Sequence, residues 1–202
     1  MKSILKIFSY IFHPLFVSVY TSIYYFYVNS SIFTTKYSIY FIFQIALLTI
    51  ILPLLVFYLL IACKILSTDI MLNDVKQRRL PLAIQTIYFY FISYYTLKPI
   101  IQYDIRYFFI GALLSSIVAL IASLVNKKVS LHMIGISGMT TFIIGLSIKS
   151  GAPNLSIICS LIILTGIVAS SRLALKAHTP SELIWGTIIG ICGQAQLFSI
   201  WL

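Results

Sequence analysis

Residues 171–182, SRLALKAHTPSE, hold one of the four arginines, one of the three histidines and the only glutamate in a chain of 202 residues. A guanidinium stays charged at any physiological pH and donates two parallel hydrogen bonds to a planar oxyanion. An imidazole carries protons near neutrality. Glu182 follows His178 by four residues, which places both on one face if the turn there is helical. Two shorter polar groups lie upstream: KQRRLP at 76–81 and VSLH at 129–132. A transferring phosphoryl group needs several fixed donors, because its charge spreads over three equatorial oxygens. A helix that starts near Ser130 adds that hydroxyl and the unpaired N–H groups of its first turn. The residue types therefore point to oxyanion binding beside an imidazole.

The elements that must position these groups are apolar. The chain is 60% hydrophobic and 9% charged, with a mean hydropathy of +1.04, more than a soluble domain of this length can bury. Seven stretches lack Asp, Glu, Lys and Arg: 7–35, 37–63, 80–97, 107–126, 129–148, 150–171 and 183–202. A spanning helix takes roughly 20 mostly apolar residues; six stretches reach that, and the third does so if Lys98 snorkels. The sequence predicts one all-α, integral-membrane bundle of six to seven transmembrane helices over 1–202. The first stretch is interrupted by His13–Pro14 and lacks a cleavage site, so it reads as an uncleaved helix.

If every stretch spans, the connections after the second, fourth and sixth helices share the face of the N-terminus. That face then holds the three polar groups. The opposite face has Lys36, Lys98, Arg106 and Lys149, leaving ten of the 14 basic residues on the motif face. A net charge of +10 without a continuous basic segment excludes a nucleic-acid partner and fits anionic lipid headgroups.

Ser171-Arg172, five residues, His178, three residues and Glu182 resemble the third signature of the type 2 phosphatidic acid phosphatase family, whose fold is shared with vanadium-dependent haloperoxidases. VSLH resembles the second signature, 38 residues upstream (133–170), and KQRRLP the first; together they cover 76–182. The chain differs from the signatures at Leu72, Leu80, Val129, Leu131 and Glu182. The resemblance implies a phosphatidic acid phosphatase type 2-like bundle in the bacterial cytoplasmic membrane that hydrolyses a lipid phosphate or diphosphate, such as phosphatidate, phosphatidylglycerophosphate or a polyprenyl diphosphate. It implies His178 as nucleophile, Glu182 as its orienting acid and His132 as general acid. Arg172, Arg79, Lys76, Ser130 and Ser171 would hold the phosphate, with no metal or other cofactor. The alternative is a catalytically inactive relative that binds phosphorylated lipid or serves as a partner subunit.

Plainer roles accompany these. Thr179-Pro180-Ser181-Glu182 is a helix-starting capping box. One of Arg78 and Arg79 reads as a positive anchor at the membrane surface. His13 reads as a kink or packing residue, Gly135, Gly138 and Gly145 as close-packing positions, and Cys63, Cys159 and Cys192 as small core residues. The Tyr and Phe residues are expected at interfacial and lipid-facing surface.

Overall fold

A computed structural model of the chain describes residues 2–66, 74–100, 103–151 and 153–202; Asp69 and Leu72 lie outside them. The described residues are helical, without strands. Helix α1 (Lys2–Ile11) meets α2 (Pro14–Val28) at an angle of 65°. The break is built into the sequence. His13 is extended and its Nδ1 accepts the Leu15 N–H at 3.4 Å, while Pro14, which has no N–H to satisfy, opens α2. Helices α3 (Thr35–Ala46) and α4 (Leu52–Ala62) are joined by a π-helical turn, Leu47–Ile51. That wider turn lies just before Pro53, which has no N–H to donate back into the preceding turn.

Helix α5 (Val75–Phe91) is started by Asp74, whose carboxylate accepts the Lys76 N–H at 2.9 Å. It runs on through a second π turn, Ile92–Thr96, where Arg106 Nε donates to the Ser93 carbonyl at 3.0 Å. The remaining helices are α6 (Ile105–Leu124), α7 (Leu131–Lys149), α8 (Leu155–Ala174), α9 (Pro180–Ala195) and the short α10 (Phe198–Trp201). Five helical segments are long and apolar enough to cross a membrane: Thr35–Ala62, Ile105–Leu124, Leu131–Lys149, Leu155–Ala174 and Pro180–Trp201. The bent pair Leu5–Ile11 and Pro14–Val28 makes a sixth if it is one span. The structure thus supports five or six spans where the charge gaps suggest six to seven. The stretch 80–97 drops out: its helix is continuous, but Gln85 and its tyrosines dilute the hydropathy.

Helix α7 is the hub, touching α2, α6, α8 and α9, and it is the most buried of the spans. Its tightest neighbour is α9, through glycines four and three residues apart. A Cβ on Gly186 would strike the Ser130 carbonyl, one on Gly190 the Ile134 carbonyl and Ser137 hydroxyl, and one on Gly193 the Ser115 hydroxyl of α6. Polar groups inside the bundle bond across this seam: Ser137 Oγ lies 3.2 Å from the Thr187 carbonyl, Ser115 Oγ 3.2 Å from the Ile189 carbonyl, and Gln194 Nε2 3.0 Å from the Phe108 carbonyl. Such internal satisfaction is obligatory where lipid offers no partner.

At the end of the bundle away from the three motifs, Lys149 Nζ binds Asp104 Oδ1 and the Trp201 carbonyl, each at 2.7 Å. Behind it Tyr25, Phe26, Phe33, Phe41, Phe108, Phe109 and Phe142 form a packed aromatic core. That corrects, for these residues, the expectation that the aromatic residues are surface; others, such as Tyr27, Tyr37, Phe43, Tyr58 and Tyr95, are exposed as expected. The cysteines likewise are exposed, not core. Of the expected packing glycines, Gly145 lies under Phe198 and Trp201, Gly138 faces the Gly190 carbonyl, and Gly135 faces Val17.

The seam makes a sharp prediction. Gly190→Ala forces the α9 backbone off α7 and lowers stability by about 1–3 kcal/mol. Gly166→Ala on α8, where a Cβ meets nothing within 4 Å, is neutral or stabilising by up to about 1 kcal/mol. Thermal unfolding of both variants in one detergent checks this; equal midpoints would contradict it.

Candidate functional site

The close packing of α7 on α9 brings their N-terminal ends together. The Ser130 N–H donates to the Glu182 carbonyl at 3.2 Å, and Ser130 itself caps α7 through Met133. On α9 the capping box forms as the sequence predicts: Thr179 Oγ1 accepts the Glu182 N–H at 3.4 Å, and Glu182 Oε2 accepts the Thr179 N–H at 3.3 Å. The same Oε2 lies 2.6 Å from His178 Nδ1. A carboxylate can only accept, so Nδ1 carries the proton and Nε2 keeps its lone pair. Both jobs of Glu182 are done by one oxygen.

His178 lies in the α8–α9 connection, outside the spans, yet only 9% of it is exposed. Burial is the main cause that pulls its pKa down to about 4; the hydrogen bond it donates to Glu182 opposes this, and the charges of Lys128, Arg78 and Arg172 reinforce it. Burial and three cations outweigh one carboxylate, so the imidazole is neutral at physiological pH.

Arg172, near the end of α8, is 8% exposed. Its Nη1 donates to the Ser9 hydroxyl of α1 at 2.5 Å, and its Nε is buried without a partner. Among the described residues no carboxylate pairs with it. His132, also 8% exposed, has Nε2 at 3.2 Å from the Ser9 carbonyl, which fixes Nε2 as the donor. It stands within electrostatic reach of Arg172, His13 and His178. The His13 ring packs edge-on against it, centroids 5.2 Å apart. Ser171 Oγ donates to the Leu5 carbonyl at 2.6 Å. All three histidines of the chain therefore lie within electrostatic reach of one guanidinium.

The structure does not gather every expected ligand. Arg79 spends its donors on the end of α6, reaching the Ser123 carbonyl at 3.2 Å, the Leu124 carbonyl at 3.3 Å and Asn126 Oδ1 at 2.9 Å. Its neighbour Arg78 is the one whose charge acts on His178 and Arg172. One residue along a helix turns a side chain by about 100°, so the two cannot share a target. Lys76 is exposed at the start of α5. Ser130 contributes backbone and cap contacts, while the hydroxyl of Ser171 holds α1. Sequence reasoning missed Ser9 and the role of His13, whose partners lie more than a hundred positions away. Lys128, whose Nζ holds the Ala177 carbonyl at 2.9 Å beside His178, directly precedes the polar group at 129–132 and carried no role in the sequence reading.

No group of three or more His, Cys, Asp or Glu side chains with metal-binding geometry occurs among the described residues. Comparison with family models, with curated proteins and with solved structures yields no match for this chain. The site offers a neutral, oriented imidazole within electrostatic reach of a buried guanidinium that has one hydrogen-bonded nitrogen and an unpartnered Nε.

The lowered pKa has a measurable consequence. In the folded chain His178 stays neutral to about pH 4, whereas an unfolded histidine takes up a proton near 6.5. Its stabilising contribution is complete above pH 6.5 and is lost as pH falls through about 4. His178→Gln should flatten the acid side of the unfolding-midpoint profile; an unchanged acid slope would show that His178 is not held neutral.

Proposed function

We propose that the protein is a membrane-embedded phosphatase acting on a lipid phosphate or diphosphate through a phosphohistidine intermediate. The observation that carries this reading is Arg172: a buried guanidinium with one neutral partner, an orphaned Nε and no carboxylate among the described residues. An uncompensated buried charge costs several kcal/mol, and an arriving oxyanion removes that cost. The resemblance of residues 171–182 to a phosphatase signature agrees with it.

In this reading the oxyanion lies against Arg172, with Arg78 adding charge. His178 Nε2 attacks phosphorus, forming a P–N bond as the P–O bond to the lipid breaks, and Glu182 balances the resulting imidazolium. His132, protonated on both nitrogens once the negative charge of the phosphate is beside it, gives a proton to the departing oxygen and is left neutral. It then takes a proton from the water that cleaves the P–N bond, so inorganic phosphate leaves and His178 is restored. A cleft of ≈ 940 Å³ between α6 and α9, lined by Leu114, Val118, Trp185 and Ile188 and headed by Lys127, Lys128 and Glu182, suits an apolar chain entering from the bilayer. A bacterial cytoplasmic membrane, as the resemblance implies, is the proposed location. A non-catalytic binder of phosphorylated lipid is the second reading, favoured by the engagement of His132 with Ser9.

Phosphate release from phosphatidate, phosphatidylglycerophosphate and a polyprenyl diphosphate in detergent separates the two. Wild type should release phosphate from at least one; His178→Ala should lose at least about 10³-fold of that rate, as expected for removal of a nucleophile. No release from any of them by folded protein that still binds orthovanadate would favour the binder. The arginine pair should divide: Arg78→Ala weakens orthovanadate binding, whereas Arg79→Ala lowers stability by about 1–3 kcal/mol through lost bonds to α6 and leaves binding near wild type. The reverse pattern would return Arg79 to the site.

A further inference from the structure

Helix α1 is bound to the candidate site at three points, and each uses up site chemistry. The Ser9 hydroxyl occupies Arg172 Nη1, the Ser9 carbonyl occupies His132 Nε2, and the Leu5 carbonyl occupies the Ser171 hydroxyl. Ser9 is 5% exposed on the inward face of a helix whose other face presents Lys6, Ile7, Tyr10 and Ile11. The helix therefore turns its small polar residue into the protein and Ile7, Tyr10 and Ile11, with Lys6, outward. The break at His13–Pro14 separates α1 from α2, since helical backbone bonding does not run unbroken between them.

A serine hydroxyl is a poor substitute for an anion. It carries no charge, and it leaves Arg172 Nε without a partner. A tetrahedral oxyanion that reached the site would satisfy both Nε and Nη1 and would accept from His132 as well, but only by taking the positions that Ser9 holds.

We infer that α1 is a displaceable latch: Ser9 caps Arg172 and His132 in a resting state, and a phosphate group competes with it for the same donors. This rests on the reading of the cluster as an oxyanion site. The latch keeps a buried cation partly satisfied when no substrate is present, and it withholds the proton donor from water until a phosphate displaces α1. Substrate binding and α1 release are then one equilibrium.

The test uses full-length protein in detergent, with orthovanadate as the oxyanion and diethyl pyrocarbonate as the probe of free imidazole. Ser9→Ala should bind orthovanadate roughly tenfold more tightly, the effect of freeing one charged hydrogen bond donor; although the residue 9 carbonyl remains, the weaker hold lets α1 lift away more often as a unit, which should raise the rate of His132 carbethoxylation read by mass spectrometry. Ser9→Asp, which supplies a built-in carboxylate to Arg172, should abolish orthovanadate binding while keeping the unfolding midpoint at or above wild type. If Ser9→Ala binds orthovanadate no better and His132 reacts no faster, the latch is overturned and the oxyanion site stands. If His132 reacts faster but neither wild type nor Ser9→Ala binds orthovanadate, the oxyanion site is overturned and α1 remains a mobile cover.

Discussion

The arrangement depends on one electrostatic constraint. A guanidinium cannot shed its charge, and inside a lipid-embedded bundle it cannot be hydrated freely. Arg172 meets that constraint only in part: a neutral hydroxyl on one nitrogen and nothing on another. The surroundings add positive charge, from Arg78 and Lys128, and one carboxylate, which is committed to His178. Such a site is electrostatically incomplete without an anion. The neutrality of His178 follows chiefly from its burial, with the positive charges of Lys128, Arg78 and Arg172 adding to it.

What holds the incomplete site open is packing. The glycines of α9 let its backbone touch α7, and the contact at Gly186 and Ser130 fixes the two helix starts side by side. Glu182 can then serve as cap and as histidine partner without choosing between them. At the far end the aromatic core and the Lys149–Asp104–Trp201 clamp supply rigidity away from the chemistry. Stability and site thus occupy opposite ends of the same helices.

Five or six of the spans could be read from gaps between charges, because the bilayer imposes a length and excludes ionised groups; the gap at 80–97 misled, because absence of charge is not enough when Gln85 and tyrosines dilute the hydropathy. The capping box and the His178–Glu182 pair were also legible, since both are local and depend on fixed helical spacing. Arg78 and Arg79 were not separable, because the choice between them depends on the rotation of α5 against α6. Ser9 gave no signal: a lone serine in an apolar helix acquires meaning only when Arg172, 163 positions later, comes to rest on it. The glycines at 186, 190 and 193 did carry a helical period, and a search for one would have found the α7–α9 seam.

The most direct measurement is the location of a heavy tetrahedral anion. Crystals or grids of the detergent-purified protein soaked with tungstate should show one strong density feature bonded to Arg172 and within reach of His178 Nε2, with Ser9 displaced from the guanidinium. Tungstate density only at exposed lysines, with Ser9 still seated on Arg172, would contradict the account.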